Sequence, residues 1–331
     1  MRKINTAVVG VGSLGRHHLR WLSRLSLSHL VGLYDIDRDK ALKYATEYGV
    51  TTFDSLGDLA RKAEAVSIVV PTSAHFETAA YLIPQGIHCL IEKPVTSNLE
   101  EAFRLKELAG EKDIKITVGQ IERFNPAVMA LQKLNIKPSF IEAHRLAAFD
   151  PRGTDVAVVL DLMIHDIDLV LHFIKSRIVD IQASAVAVVS EQADIANARL
   201  TFENGAVANL TASRISLHAM RKLRIFQKSG YYSIDLANKQ ADLYRLAAGE
   251  NDFDGMRVPL GKSGKHLVYK KVTDSGEDML GLELETFLKA VGDNTPVAVT
   301  LEEASEALRV ALEIERIGLQ SIARMMEAEP A

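Results

Sequence analysis

From residue 4 to about Gln120 the chain alternates between short apolar runs of strand length and longer stretches in which apolar positions recur every three or four residues. Strands are predicted at 4–9, 30–34, 66–70, 87–91 and 114–118, with helical patterns at 13–27, 74–83 and 99–109. This is the pace of βαβ units, so a parallel, doubly wound sheet is expected. Ser97 and Glu100 have the spacing of a capping box at the start of the helix at 99–109.

After Gln120 the rhythm changes. A helix at 126–134 leads into a strand at 140–145 and a long apolar helix at 156–173. Strand-like segments follow at 178–189, 197–211, 222–227 and 231–235. The second is broken by Asn204-Gly205, a two-residue hairpin signal, and the last two are joined through Ser229-Gly230. Residues 248–264, rich in glycine and charge, read as an exposed loop, and Thr300 with Glu303 forms a second capping box before a final helix to about Met326. The predicted fold class is therefore α/β, a doubly wound parallel sheet in a domain at 1–121, followed at 122–331 by an α+β domain with an antiparallel or mixed sheet. In the strand at 178–189, Ile181, Ala183, Ala185, Ala187 and Val189 alternate with Gln182, Ser184, Val186 and Val188, so one face is apolar and the other partly so. A partner sheet across a subunit interface would cover it, and a homodimer or homotetramer is expected.

Composition narrows the class. At 331 residues, 47% hydrophobic and 25% charged, the chain reads as a soluble two-domain globular protein. A net charge of -4 without a basic patch gives no reason to expect nucleic acid or an anionic membrane as partner. The chain enters a strand almost at once, without the apolar segment of a signal peptide, and holds no run able to span a bilayer, so the cytoplasm is the expected location. Cys89 is the single cysteine; it lies in an apolar strand and reads as a buried small hydrophobe.

The turn Gly10-Val11-Gly12-Ser13-Leu14-Gly15 joins the first strand to the first helix. There Gly10 allows the tight turn, Gly12 lets the backbone approach a pyrophosphate, and Gly15 lets helix and strand pack closely. The phosphates would face the free N–H groups of the helix N-terminus. Alone, the pattern is also an ordinary glycine turn; its context adds Asp35 at the end of the second strand, where a carboxylate accepts hydrogen bonds from the adenosine ribose. An acid there repels a 2′-phosphate and favours NAD over NADP, a preference that the nearby Arg38 softens. Because such sheets bind ligands beyond the carboxyl ends of their strands, Gly10 to Gly15, Asp35, Pro71 to His75 and Glu92 to Pro94 should converge on one crevice.

Asp161, His165, Asp168 and His172 line one stripe of the otherwise apolar helix at 156–173. Three readings fit: side chains satisfied by solvent or neighbouring elements, a divalent ion shared by Asp and His, or acid/base chemistry. No compact third-ligand motif stands out, so no metal is expected. In the third reading an alcohol is oxidised: His165 or Lys93 takes the hydroxyl proton, a choice left open here because coupled groups share their titration, while Asp161 orients the imidazole and Lys93 donates to the substrate oxygen, supported by Glu92 and Pro94.

The order Gly-x-Gly-x-x-Gly, Pro71-Thr72-Ser73-Ala74-His75, Glu92-Lys93-Pro94 and Asp161-x-x-x-His165-Asp166-x-Asp168 resembles the Gfo/Idh/MocA oxidoreductase family over nearly the whole chain. The resemblance implies a Rossmann domain, a C-terminal domain with a large open sheet, bound NAD(H) or NADP(H), and oxidation or reduction of sugars and polyols. It also implies the roles given above for Lys93, Asp161 and His165, places Pro71, Thr72 and His75 beside the nicotinamide, and extends the cofactor set to Glu92, Lys93 and Gln120. Within the family, residues 119–126 with Asp150-Pro151-Arg152 and Asp155 look most like members that oxidise C3 of a UDP-linked N-acetylhexosamine such as UDP-N-acetylglucosamine. Arg123, Arg145 and Arg152 would then neutralise the diphosphate, although each alone also reads as an ordinary ion pair. The chain departs from many relatives in having Asp155-Val-Ala-Val-Val159 where they carry glycines, which bears on the shape of the substrate pocket. Two other readings remain open here, a free sugar or polyol dehydrogenase of the inositol dehydrogenase kind and a non-catalytic NAD(H)-sensing regulator.

Overall fold

The computed structural model describes residues 2–110, 114–149, 156–247, 255–261 and 265–328. The first sheet consists of β1 (Ile4–Val9), β2 (Ser28–Tyr34), β3 (Thr51–Thr52), β4 (Ala65–Ile68), β5 (His88–Glu92) and β6 (Ile116–Gly119). Their order is β3-β2-β1-β4-β5-β6, and every pair is parallel. The connections carry α1 (Gly15–Leu22), α2 (Arg38–Tyr48), α3 (Leu56–Ala60), α4 (His75–Leu82) and α5 (Leu99–Gly110). The doubly wound order puts its switch point between β1 and β4. The capping box of α5 sits one residue later than predicted: Asn98 Oδ1 accepts Glu101 N at 3.0 Å and Glu101 Oε2 accepts Ser97 N at 3.1 Å, so Glu101 rather than Glu100 reaches back.

The second sheet is mixed and has nine strands. In chain order they follow α6 (Pro126–Gln132) as β7 (Phe140–Leu146), then α7 (Ile164–Ile174), then β8 (Ile178–Val186), β9 (Ile195–Phe202), β10 (Val207–Ser213), β11 (Met220–Gln227), β12 (Gly230–Asp235), β13 (Gln240–Ala247), β14 (Met256–Pro259) and β15 (His266–Val272). The order is β14-β15-β13-β12-β11-β7-β10-β9-β8, with β7 and β10 parallel and the other pairs antiparallel. Inward positions such as Ile141, Ala143, Leu210, Leu223, Ile225, Tyr232 and Leu243 are buried, and α6 and α7 pack on this sheet. The turn at Asn204-Gly205 is a three-residue loop rather than the two-residue turn predicted, because Phe202 N pairs with Ala206 O at 2.9 Å and Gly205 takes the left-handed conformation at φ 84°. Residues 248–264 are not loop throughout: β14 forms there by pairing with β15, while 248–254 and 262–264 lie outside the described residues.

Two helices complete the chain, α8 (Met279–Gly292) and α9 (Leu301–Ala328). The capping box of α9 is as predicted, Thr300 N donating to Glu303 Oε2 at 3.0 Å and Glu303 N to Thr300 Oγ1 at 3.1 Å. The chain forms two compact units, one of Met1–Phe124 with Asp278–Leu308 and one of Asn125–Glu277 with Arg309–Ala331. The return of Asp278–Leu308 to the first unit was not anticipated by the linear pattern. Its cause is the apolar stripe Leu280, Leu284, Phe287 and Leu288 of α8, which joins Ile4, Val8, Leu19, Leu22 and Leu33 in one buried cluster. Among the described residues no helix is long and apolar enough to cross a membrane.

Candidate active site

The first unit gathers its candidates beyond the carboxyl ends of β1, β2, β4, β5 and β6, consecutive chain exits on one edge of the sheet. Gly10 sits at φ 86°, a conformation that L side chains rarely adopt, and a Cβ on Gly15 would strike the Gly10 carbonyl oxygen. Gly12 differs: a Cβ there would meet nothing within 4 Å, and Ser13 and Leu14 beside it are exposed. The helix α1 begins without a side-chain cap and without an acid in its first turn. These features fit a nucleotide pyrophosphate, whose oxygens would take the N-terminal amides that no side chain caps.

Asp35, at the exit of β2, accepts Val11 N at 2.7 Å and Asp37 N at 2.8 Å. It therefore braces the glycine turn as well as standing where a ribose would lie. Arg38 is largely exposed and pairs with Asp54 at 2.9 Å. Pro71 and Thr72 open a single 3₁₀ turn after β4, Pro71 exposed and Thr72 half-buried. His75 follows at the start of α4 and is 1% exposed, with Nδ1 2.8 Å from Pro94 O and Nε2 2.9 Å from Val70 O. Its ring nitrogens are thus engaged by main-chain carbonyls. Burial pushes the His75 pKa below its ordinary value, against the opposing pull of the Pro94 and Val70 carbonyls.

Lys93 follows β5 and is half-buried, and its bond to Pro94 is cis. Glu92 lies 3.1 Å by Oε1 from Nε2 of His18, a fully buried residue of α1 that the sequence reading missed. The ring is not aligned as a donor along that contact, which is one of close approach. Glu92 is register partner to Gly119, where a Cβ would lie 2.8–2.9 Å from the carboxylate atoms. Gln120, 1% exposed at the exit of β6, keeps Oε1 buried with no donor among the described residues, a second feature suited to a polar ligand. Arg123 is 5% exposed and its NH1 stands 3.4 Å from Glu303 Oε1, so its charge is countered within the protein.

Asp161, His165 and their neighbours belong to the second unit. The helix predicted at 156–173 is not uniform: Val159–Met163 is a π turn and α7 starts at Ile164. Such turns occur often at functional sites, because the extra residue per turn re-aims side chains. Asp161 lies within the π turn and His165 in the first turn of α7, both half-buried. Asp168 is 1% exposed and so turned inward, while His172 meets Gln132 of α6 at 3.3 Å. The predicted stripe is therefore divided between surface and interior. Arg145 corrects a second expectation: it is 3% exposed and forks onto Asp166, Nε to Oδ2 at 3.0 Å and NH2 to Oδ1 at 2.9 Å. Its guanidinium is matched by that carboxylate and pins α7 to β7 rather than awaiting a diphosphate. Arg152, with Asp150, Pro151 and Asp155, lies outside the described residues.

A glycine turn open at Gly12, an acid at the exit of β2 and a lysine at the exit of β5 define a Rossmann-type oxidoreductase domain. The model of the oxidoreductase family with NAD-binding Rossmann fold matches residues 4–120, and that of the GFO/IDH/MocA C-terminal domain matches 142–233. The chain is 38% identical over 316 residues to UDP-N-acetylglucosamine 3-dehydrogenase of Acidithiobacillus ferrooxidans, covering 95% of this chain and 97% of that protein. A solved structure of that dehydrogenase superposes with a TM-score of 0.87 at 35% identity, covering 97% of this chain and 99% of the other. A myo-inositol dehydrogenase of Streptomyces leeuwenhoekii is 27% identical over 333 residues, 95% of this chain and 97% of that one. The chain belongs to the Gfo/Idh/MocA family and is a dehydrogenase of that family, built around a nicotinamide cofactor.

Proposed function

We propose that this protein oxidises the C3 hydroxyl of a UDP-N-acetylhexosamine, UDP-N-acetylglucosamine above all, to the 3-keto sugar, with NAD rather than NADP as cofactor. The observation that carries this reading is the near full-length likeness to a UDP-N-acetylglucosamine 3-dehydrogenase. A bound nicotinamide nucleotide supplies the acceptor for the hydride that leaves C3. Gly10, Gly12, Ser13, Leu14 and Gly15 hold its pyrophosphate, Asp35 its ribose, and Pro71, Thr72 and Gln120 the remainder. His165 takes the hydroxyl proton, Asp161 orients the ring, and Lys93 stabilises the oxygen as negative charge builds on it. With Arg145 matched by Asp166, Arg123 and Arg152 are the arginines assigned to the diphosphate. The setting is cytoplasmic, to which a lone buried thiol is suited; burial pushes Cys89 up to about 12. Copies associate as a homodimer or homotetramer through the outer face of the nine-stranded sheet.

The test is NADH formation by the purified protein with NAD and UDP-N-acetylglucosamine, free N-acetylglucosamine or myo-inositol, with and without a 2-oxo acid. NADH is expected with the nucleotide sugar, and UDP should compete. Reaction with myo-inositol alone, insensitive to UDP, would overturn the substrate in favour of the polyol reading that the Streptomyces relative favours. Lys93→Met should lose about 10²- to 10⁴-fold in kcat.

A further inference from the structure

The two residues flanking Lys93 each meet a buried histidine, Glu92 by close approach to His18 and Pro94 by a hydrogen bond with His75. On one side, Glu92 faces Nε2 of His18 at 3.1 Å, with His18 fully buried in α1. The Glu92 carboxylate also fills the space where a Gly119 side chain would stand, so Gly119 is small for the sake of that carboxylate. On the other side, the His75 ring bridges Val70 O at the exit of β4 and Pro94 O in the turn after β5. Both of its partners are acceptors, so His75 acts on them only as a donor: one N–H in the neutral ring, two in the cation. Its nitrogens, being occupied by main chain, are not the atoms that would meet a nicotinamide.

We propose that His18 and His75 are positioning residues for Lys93, holding Glu92 and Pro94 so that the lysine between them is fixed in place; the inference rests on Lys93 acting in the reaction as read above. The arrangement has a further consequence for α1. The helix that offers its N-terminus at Gly15 to the pyrophosphate carries His18 one turn along, so the element that would seat the cofactor also holds the neighbour of the lysine.

The experiment compares His75→Leu, His75→Gln, His18→Leu, Gly119→Ala and Lys93→Met in the full-length protein. It measures NADH dissociation constants, thermal midpoints, and kcat and KM on the sugar that the wild type oxidises. The leucine variants should lose about 10- to 100-fold in kcat, the scale of a small misplacement of a reacting group, with NADH affinity within about threefold of wild type. His75→Gln, whose amide still donates to Pro94 O, should recover most of the turnover, and Gly119→Ala should reproduce the loss by displacing Glu92. A purely structural role would lower the thermal midpoint and leave kcat of the folded fraction unchanged. Wild-type kcat in both leucine variants, or a loss in kcat matched by an equal loss of NADH affinity, would overturn the inference while an inactive Lys93→Met leaves the reading intact. Should the leucine variants not fold, His75→Gln and Gly119→Ala decide: normal kcat in Gly119→Ala together with a kcat in His75→Gln no better than that of Lys93→Met overturns it. Full turnover in Lys93→Met removes the reading, and the inference with it.

Discussion

The Asp35 carboxylate accepts two main-chain N–H groups, Val11 and Asp37, and a carboxylate has about four acceptor sites, so two remain for ribose hydroxyls. This double use decides how its role should be tested. Replacement by alanine removes both acceptors, whereas Asp35→Asn removes the charge but keeps one acceptor and turns its NH2 toward the other main-chain N–H, so its specificity is read beside its thermal midpoint. In Asp35→Asn the ratio of kcat/KM for NADP to that for NAD should rise by roughly tenfold, about 1.4 kcal/mol, as repulsion of the 2′-phosphate is lifted. An unchanged ratio in a variant of unchanged thermal midpoint would assign the carboxylate to bracing alone. Asp35 could be read from the sequence because it stands at a strand exit at a fixed interval from Gly15. His18 was legible only in part: Gly15, His18, Leu19 and Leu22 stand at i, i+3, i+4 and i+7, which turns His18 rather than His17 inward, but its partner Glu92 is brought to it by the sheet and could not be read. The same is true of Arg145, whose match with Asp166 is a tertiary contact between β7 and α7.

At the level of elements, the entry to α7 depends on the loop after β8, whose first residues, Ala187 to Val189, the alternating pattern predicts as strand but which leave the ladder to bond Asp194. Asp194, fully buried, accepts Val188 N at 2.8 Å, Val189 N at 2.7 Å, Ser190 N at 3.1 Å and Ser190 Oγ, and it faces Arg214. Arg214 donates to Val156 O, and Ala193 O accepts Val158 N at 3.1 Å, just before the π turn that carries Asp161. Burial raises the Asp194 pKa, but the amide donors outweigh it and hold the carboxyl below its usual range. A group whose folded pKa is depressed stabilises the fold above its unfolded pKa, near 4, and that contribution is lost as pH falls through the lower folded value. Asp194→Asn should therefore be less stable at neutral pH by about 1–3 kcal/mol in urea unfolding, with the gap narrowing below about pH 4. A gap independent of pH would rule out the charge as the cause. Strands and caps were legible because alternation and side-chain-to-backbone spacing are local, as at Thr300 and Glu303. The π turn and the return of α8 were not, since each is set by packing partners far away in sequence.

For the whole molecule, the outer face of the nine-stranded sheet raises the question of what covers it. Register aligns Phe140, Phe226, Tyr231, Tyr244 and Tyr269 in one row across five strands, with neighbouring ring centroids 4.9–5.9 Å apart. The next row on the same face mixes signs: Arg199, Glu142, Arg224 and Asp242, with Arg224 and Glu142 paired at 3.1 Å. A row of half-buried rings beside a row of alternating charge is complementary to a reversed copy of itself, as a two-fold interface requires. Nine strands at about 4.8 Å spacing and roughly six residues of length offer on the order of 800 Å² per partner, which is the size of a stable interface. Burial of the rings would supply the apolar centre and the charged row the register. Phe226→Asp combined with Tyr231→Lys puts charge into the middle of the row without touching the inner face. The wild type is expected to sediment as a dimer or tetramer at micromolar concentration, and this double variant as a monomer that still binds NADH, since the nucleotide site belongs to the other unit. A variant that keeps the wild-type sedimentation coefficient would place the contact between copies on another surface.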